Sequence, residues 1–128
     1  MKTITVQTSA HAQMVDITRN VTEVLAEMGV EDGIVTIFTP HTTCGLTINE
    51  NTDPHVTRDL LKQLDEMVPW RQPFYLHSEG NSAAHIKASM IGSSLTLIAE
   101  WGALRLGQWQ GIYLCEFDGP RTRSVYVK

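Results

Sequence analysis

Residues 41–51, HTTCGLTINEN, crowd an imidazole, a thiol, three hydroxyls, two amides and a carboxylate around Leu46 and Ile48. In an extended strand alternate side chains face opposite ways, so Cys44, Leu46, Ile48 and Glu50 share one face. Gly45, Thr47 and Asn49 share the other. Leu46 and Ile48 mark the first face as the core side, which sets Cys44 and Glu50 at its two ends. Cys44 reads either as a small buried hydrophobe or as a thiol lining a pocket. Glu50 is a carboxylate at the rim of an apolar layer, where it needs a partner and is a candidate general base.

Five histidines are present. His11 and His55 read as solvated. His41, His77 and His85 stand in TPHTT, YLHSEGN and SAAHIK, each where one element meets another among small polar residues. Three neutral imidazoles with one open position make the catalytic-zinc arrangement. Imidazole suits zinc, and magnesium is the alternative. A helix start beside His85 would disfavour its charged form and keep a nitrogen free. Spacing alone also accommodates three unrelated histidines in ordinary hydrogen bonds, since no HExxH-type pair occurs.

The stretch EGNSAAH, residues 79–85, leads glycine and small capping residues into a helix start, a ready anion site. Glu79 adds a second candidate base. Asn81 or Ser82 could equally be a plain cap. Thr42, Gly80, Asn81, Ser82 and Arg121 are the candidate substrate contacts. Arg121 and Arg123 near the C-terminus could grip phosphate or pair with Glu116 and Asp118 across a hairpin.

These groups have to be held by surrounding elements. ITVQTS alternates with period two and predicts a strand. Val21, Val24, Leu25 and Met28 lie on one helical face, with Asp16 or Thr18 to cap it and Gly29 to end it. GIVTIF and CGLTINE predict two strands joined through HTT. Asp53 and Pro54 start a helix whose stripe is Val56, Leu60, Leu61, Leu64 and Met67. Residues 68–82 predict a long loop, and loops of that length in a small domain are usually functional. A short helix, SAAHIKASMIG, and the strands SLTLIAE, GIYLCEF and RSVYVK complete the chain, the last two joined at DGPR. The expectation is a single α+β domain over residues 1–128, a mostly antiparallel sheet with helices packed on one face.

At 128 residues, 42% hydrophobic and 19% charged, the chain can bury a core without staples. The net charge of -4 and the lack of a basic run argue against nucleic-acid binding or a membrane anchor. No stretch has a signal-peptide pattern or spanning length. Cys44 and Cys115 are then expected as reduced thiols in a cytoplasmic protein.

Three blocks, HTTCGLTINEN with DP after it, HSEGNSAAHIKASMIGSS, and LGQWQGIYLCEFDGPRTRSV, closely resemble the YjbQ-like family. The likeness extends over nearly the whole chain. It implies a compact α+β fold, a homotrimer, and the label secondary thiamine-phosphate synthase, a weak activity joining the two halves of thiamine phosphate. It also implies a site on the histidines matched here by His41, His77 and His85. The combined expectation is a metal-dependent enzyme acting on a phosphorylated or otherwise anionic small molecule. Glu50 or Glu79 would be its base and Cys44 part of its wall, with thiamine-phosphate formation a side reaction. The alternative is a non-catalytic metal- or metabolite-binding trimer.

Overall fold

A computed structural model of the chain describes residues 1–128. The N-terminal alternation forms β1 (Lys2–Gln7), with Ile4 and Val6 turned inward. A short strand, β2 (Gln13–Asp16), follows in a segment whose polar composition gave no strand signal. Next comes α1 (Thr18–Met28). The Asp16 carboxylate accepts the Thr18 N–H at 2.9 Å, and Gly29 ends the helix in the left-handed conformation glycine tolerates.

The segment GIVTIF is β3 (Gly33–Phe38) and CGLTINE is β4 (Cys44–Glu50). Helix α2 (Pro54–Met67) starts as its sequence predicts: Asp53 accepts the His55 N–H and Pro54 takes the first turn. Its apolar stripe is only half buried, and Met67 stays exposed, so α2 is a cover rather than a core helix. After the loop come α3 (Ser82–Ile91), β5 (Ser94–Glu100), the two-residue β6 (Ala103–Leu104), β7 (Gln110–Glu116) and β8 (Thr122–Val127).

The α+β reading holds, and every strand pair is antiparallel, divided between two sheets. The larger has the order β1-β8-β3-β5-β6 and the smaller β2-β7-β4. The main core lies between them. Val35, Ile37, Leu97, Val125 and Val127 from the large sheet meet Leu46, Ile112 and Leu114 from the small one, with Val21 and Leu25 of α1 closing the side. The other face of the small sheet carries Tyr113 and Cys115, and α2 and α3 cover it with Leu61, Leu64, Ala84 and Ala88. β7 is therefore buried on both faces from Gly111 onward.

The connection from β3 to β4 steps from one sheet to the other, so residues 39–43 span the gap at one end of the sandwich. That crossing puts the polar chemistry at the lip of the core. Gly45 lets it close: a Cβ there would meet the Gly92 carbonyl oxygen at 2.8 Å, and the neighbouring Leu46 N–H donates to that same oxygen at 3.0 Å.

Candidate functional site

His41 sits in the sheet-to-sheet crossing. β3 pairs with β8 only as far as Phe38 and Tyr126, after which the chain turns away. Side chains then take over from the ladder. The Thr39 hydroxyl donates to the Ser124 carbonyl at 3.0 Å, and the Ser124 N–H donates to His41 Nε2 at 2.9 Å. An imidazole nitrogen that accepts carries no proton, so in the neutral ring the proton is on Nδ1. Burial, then the charge on Arg123, hold the His41 pKa below its ordinary value, which keeps the ring neutral.

Beneath the crossing lies an ion pair with almost no exposure. Arg123 is 3% exposed and Glu116 0%. Arg123 Nε donates to Glu116 Oε1 at 2.9 Å, and its Nη2 donates to Glu116 Oε2 and to the Thr43 hydroxyl. The Thr8 hydroxyl and the Asp118 N–H complete the carboxylate's shell. Burial pushes the Glu116 carboxyl up, but these hydrogen bonds outweigh it and hold its pKa below the usual value. The pair ties β7 and β8 to the start of β4, directly under His41.

The third wall is the start of α3 and the loop before it. His77 and His85 meet edge to face, ring centroids 5.2 Å apart. Gly80 turns the loop with φ of 72°, and its N–H bonds the His77 carbonyl at 3.1 Å, which sets the His77–Gly80 turn. Asn81 is buried. Its Nδ2 donates to Asp118 Oδ2 at 2.8 Å, and its Oδ1 is the one fully enclosed side-chain oxygen or nitrogen without a partner. Asp118 also receives Arg121, through Nε to its carbonyl at 2.8 Å and Nη2 to its carboxylate at 3.1 Å.

These walls enclose one cavity of about 400 Å³ with no hydrophobic residue in its lining. His41, Thr42, His77, Glu79, Asn81, His85, Asp118, Arg121 and Arg123 all face it. The three histidines singled out from the sequence all line this cavity, but only His77 and His85 touch, and no three His, Cys, Asp or Glu side chains stand close enough to hold one ion. A second recess, of about 470 Å³, continues from His41 and His85 past Cys44 and Ser89. A third, about 520 Å³ and more apolar, runs from His77 and His85 to Phe74, Leu76 and Ile86.

Five expected participants stand elsewhere or act otherwise. Glu50 ends β4 at the far end of the strand, about 20 Å from Cys44 at 3.4 Å per residue. Its carboxylate accepts the Asp53 N–H at 3.3 Å beside the start of α2, and it is not part of this chain's cavity lining. Cys44 does border the site, but it is 1% exposed and its sulfur lies 3.5 Å from the Thr39 hydroxyl. Burial pushes its thiol pKa up, which disfavours a nucleophilic thiolate. Ser82 faces the apolar recess rather than the polar cavity. Gly80 shapes the loop without lining the cavity, and Arg121 is largely engaged by Asp118.

The whole chain from residue 2 to residue 128 matches the family described as UPF0047 protein YjbQ-like. The chain belongs to this family. UPF0047 protein YugU of Bacillus subtilis is 52% identical over 128 residues, covering 100% of this chain and 97% of its own. UPF0047 protein MJ1081 of Methanocaldococcus jannaschii is 48% identical, with 96% and 88% covered. An uncharacterised conserved protein of the YjbQ/UPF0047 family from Clostridium acetobutylicum superposes with a TM-score of 0.97 at 54% identity, covering 100% of this chain and 98% of that one.

In this YjbQ-like chain, the sequence offered Arg123 either as a phosphate grip or as a partner for Glu116 or Asp118, and the structure pairs it with Glu116. Arg123 had a legible signal. It occupies the same inward parity as Val125 and Val127, and a charge in a core alternation calls for a buried partner. Asp118 was expected only as an arginine partner, which Arg121 makes it, while its bond to Asn81, 37 residues away, had no local signal.

Proposed function

We propose that the polar cavity is the active site of an enzyme acting on a small phosphorylated or otherwise anionic metabolite. The convergence of His41, His77 and His85 with two guanidinium groups in one cavity of about 400 Å³ carries this reading. That volume suits a metabolite rather than a macromolecule. Each guanidinium already faces a carboxylate, Arg121 with Asp118 and Arg123 with Glu116, so an anion would be held by the N–H donors these pairs and the histidines leave unpartnered. Glu79, the carboxylate on the cavity rim, is the candidate base.

The donor set fits a divalent metal in part. The His77 and His85 rings pack edge to face with centroids 5.2 Å apart, and imidazole suits zinc over magnesium. No three His, Cys, Asp or Glu side chains stand together as a ready cage. His77 and His85 would hold the ion, and Glu79 would join on turning its exposed side chain. When bound, the ion would polarise a substrate oxygen or a water. Thiamine-phosphate formation is a candidate side activity of this site.

The same reading takes the protein as a homotrimer. The outer face of the large sheet leaves Ile34, Phe38 and Ile98 exposed at 65%, 41% and 57%, an apolar strip that a second copy would cover. Light scattering should return three times 14.3 kDa.

The deciding experiment is metal analysis of the purified protein, followed by a screen of phosphorylated metabolites with and without chelator. Turnover that the chelator abolishes is the expected result. Binding without turnover favours a metabolite-binding module, and neither binding nor turnover overturns the reading.

A further inference from the structure

We infer that His41 and Arg123 together form an oxyanion cradle at the base of the cavity, with His41 a hydrogen-bond donor rather than a metal ligand. The inference rests on the reading of the cavity as a site for a small anionic metabolite and assigns the residues that hold the anion.

Two donors carry it. His41 Nε2 is occupied by the Ser124 N–H, so the ring's proton is on Nδ1, and Nδ1–H has no acceptor in the protein. A histidine in that state has no lone pair left for a metal unless it gives up its bond to Ser124. Arg123 is the second donor. Its Nε and Nη2 are spent on Glu116 and Thr43, while Nη1 has no protein partner. Nη1 is not sealed in either, because the only enclosed and unpartnered side-chain oxygen or nitrogen in the chain is Asn81 Oδ1. Arg123 is one of the residues that line the cavity.

Two unpartnered N–H groups, one of them cationic, on neighbouring cavity residues are a receptor for a negatively charged oxygen. Both are held before any ligand arrives. Ser124 orients the ring, and Glu116 and Thr43 clamp the guanidinium, so little ordering entropy remains to be lost on binding. Arg121, the arginine that looked available in the sequence, is half exposed and folded onto Asp118. A phosphate or carboxylate oxygen therefore settles between His41 Nδ1 and Arg123 Nη1. His77, His85 and Glu79 are left for the rest of the molecule.

Inorganic phosphate and acetate are the probes, followed by nitrogen-15 NMR of the imidazole and guanidinium groups. His41 should carry its proton on Nδ1, and phosphate should shift His41 Nδ1 and Arg123 Nη1. His41→Gln keeps an oxygen to accept the Ser124 N–H and replaces the Nδ1 donor with an amide N–H at the end of a flexible chain, away from the Nδ1 position. Arg123→Lys keeps a charge for Glu116 but loses the Nη1 reach. Each should weaken anion binding by about 10- to 100-fold, the loss of one charge-assisted hydrogen bond. Glu50→Gln, at the far end of β4 and outside the cavity lining, should leave phosphate binding unchanged. The pattern with phosphate supports a phosphorylated ligand, and the pattern with acetate alone supports a carboxylate. If Arg123→Lys fails to fold, the phosphate-induced shift of Arg123 Nη1 in the native protein reads the same contact. Anion binding that survives His41→Gln, or a His41 protonated on Nε2, overturns the cradle and leaves the cavity reading standing. No shift with either anion overturns the cradle, and a negative metabolite screen besides would remove the cavity reading too.

Discussion

The two ends of β4 are equally polar and are used in opposite ways. At the far end, Glu50 accepts the Asp53 N–H, Asn51 Nδ2 donates to Asp16 at 3.2 Å, and the Asn51 N–H bonds the Trp109 carbonyl. Those polar groups are spent on each other and on joining the strand to α2. At the near end, His41 and Arg123 each keep a donor open toward a cavity. Polar density in a sequence therefore does not locate a site. A site is where polar groups are held firmly on one side and left unpartnered on the other.

The largest expected effect comes from breaking what holds the near end firm. Glu116→Ala leaves the Arg123 guanidinium buried without its counter-charge, and a buried pair broken on one side costs about 3–5 kcal/mol. Urea denaturation should show this as a lowered midpoint. A loss below about 1 kcal/mol would mean that Arg123 reaches water easily, and the near end would then be no more rigid than the far one.

Leu46→Ala tests the rod between the two ends. Leu46 is fully buried and lies opposite Leu114 in the ladder, so its removal should cost about 2–5 kcal/mol. Gly45→Ala should come next, at about 1–3 kcal/mol, because a Cβ would meet the Gly92 oxygen at 2.8 Å and Ile91 Cγ2 at 3.0 Å. Thermal melts rank the two. If Gly45→Ala is neutral, α3 moves freely against β4, and the His85 wall is not fixed by this contact.

How far this was legible from the sequence follows the same division. Alternation placed Leu46 in the core, and local chemistry placed Asp53 and Pro54 at a helix start, because both signals depend on near neighbours. The three histidine blocks pointed to one place, and His41, His77 and His85 do line one cavity, although only the last two touch. The states of the site residues were not legible. The tautomer of His41 is set by Ser124, 83 residues on, and the buried state of Arg123 by Thr43, 80 residues back. Glu50 was misplaced for the same reason: its strand parity was right, but the end of the strand nearest the cavity depends on how the sheets stack. β2 was missed because its four residues form a strand only against β7.

Acid should weaken the near end before the far one. His41 has a lowered folded-state pKa, so the unfolded chain binds its proton first as pH falls below about 6.5. Its contribution to stability is complete above that value and is lost on the way down to the folded pKa. Glu116, also lowered, adds a second loss below about 4.3, the ordinary carboxylate range. Denaturation midpoints measured from pH 7.5 downward should therefore fall in two stages. In His41→Gln the first stage should shrink, and an unchanged first stage would mean that His41 is not the group responsible.

The smallest effect should be at Glu50. Its carboxylate makes one long bond at 3.3 Å to the Asp53 N–H, at an exposed helix start where water can replace it. Its carbonyl, which accepts the Tyr113 hydroxyl at 3.1 Å, belongs to the backbone and survives any side-chain change. Glu50→Ala should then alter stability by no more than about 0.5 kcal/mol. Phosphate affinity and metal content should stay at the wild-type values, since the side chain is some six residues along the strand from the cavity. The comparison is sharpest in this variant, because Glu50 is a carboxylate on the same strand and the same face as Cys44. If Glu50→Ala weakened phosphate binding while leaving the melt unchanged, the far end would be in contact with ligand. The most direct route to that contact would be a second copy bringing its own β4 terminus to the cavity.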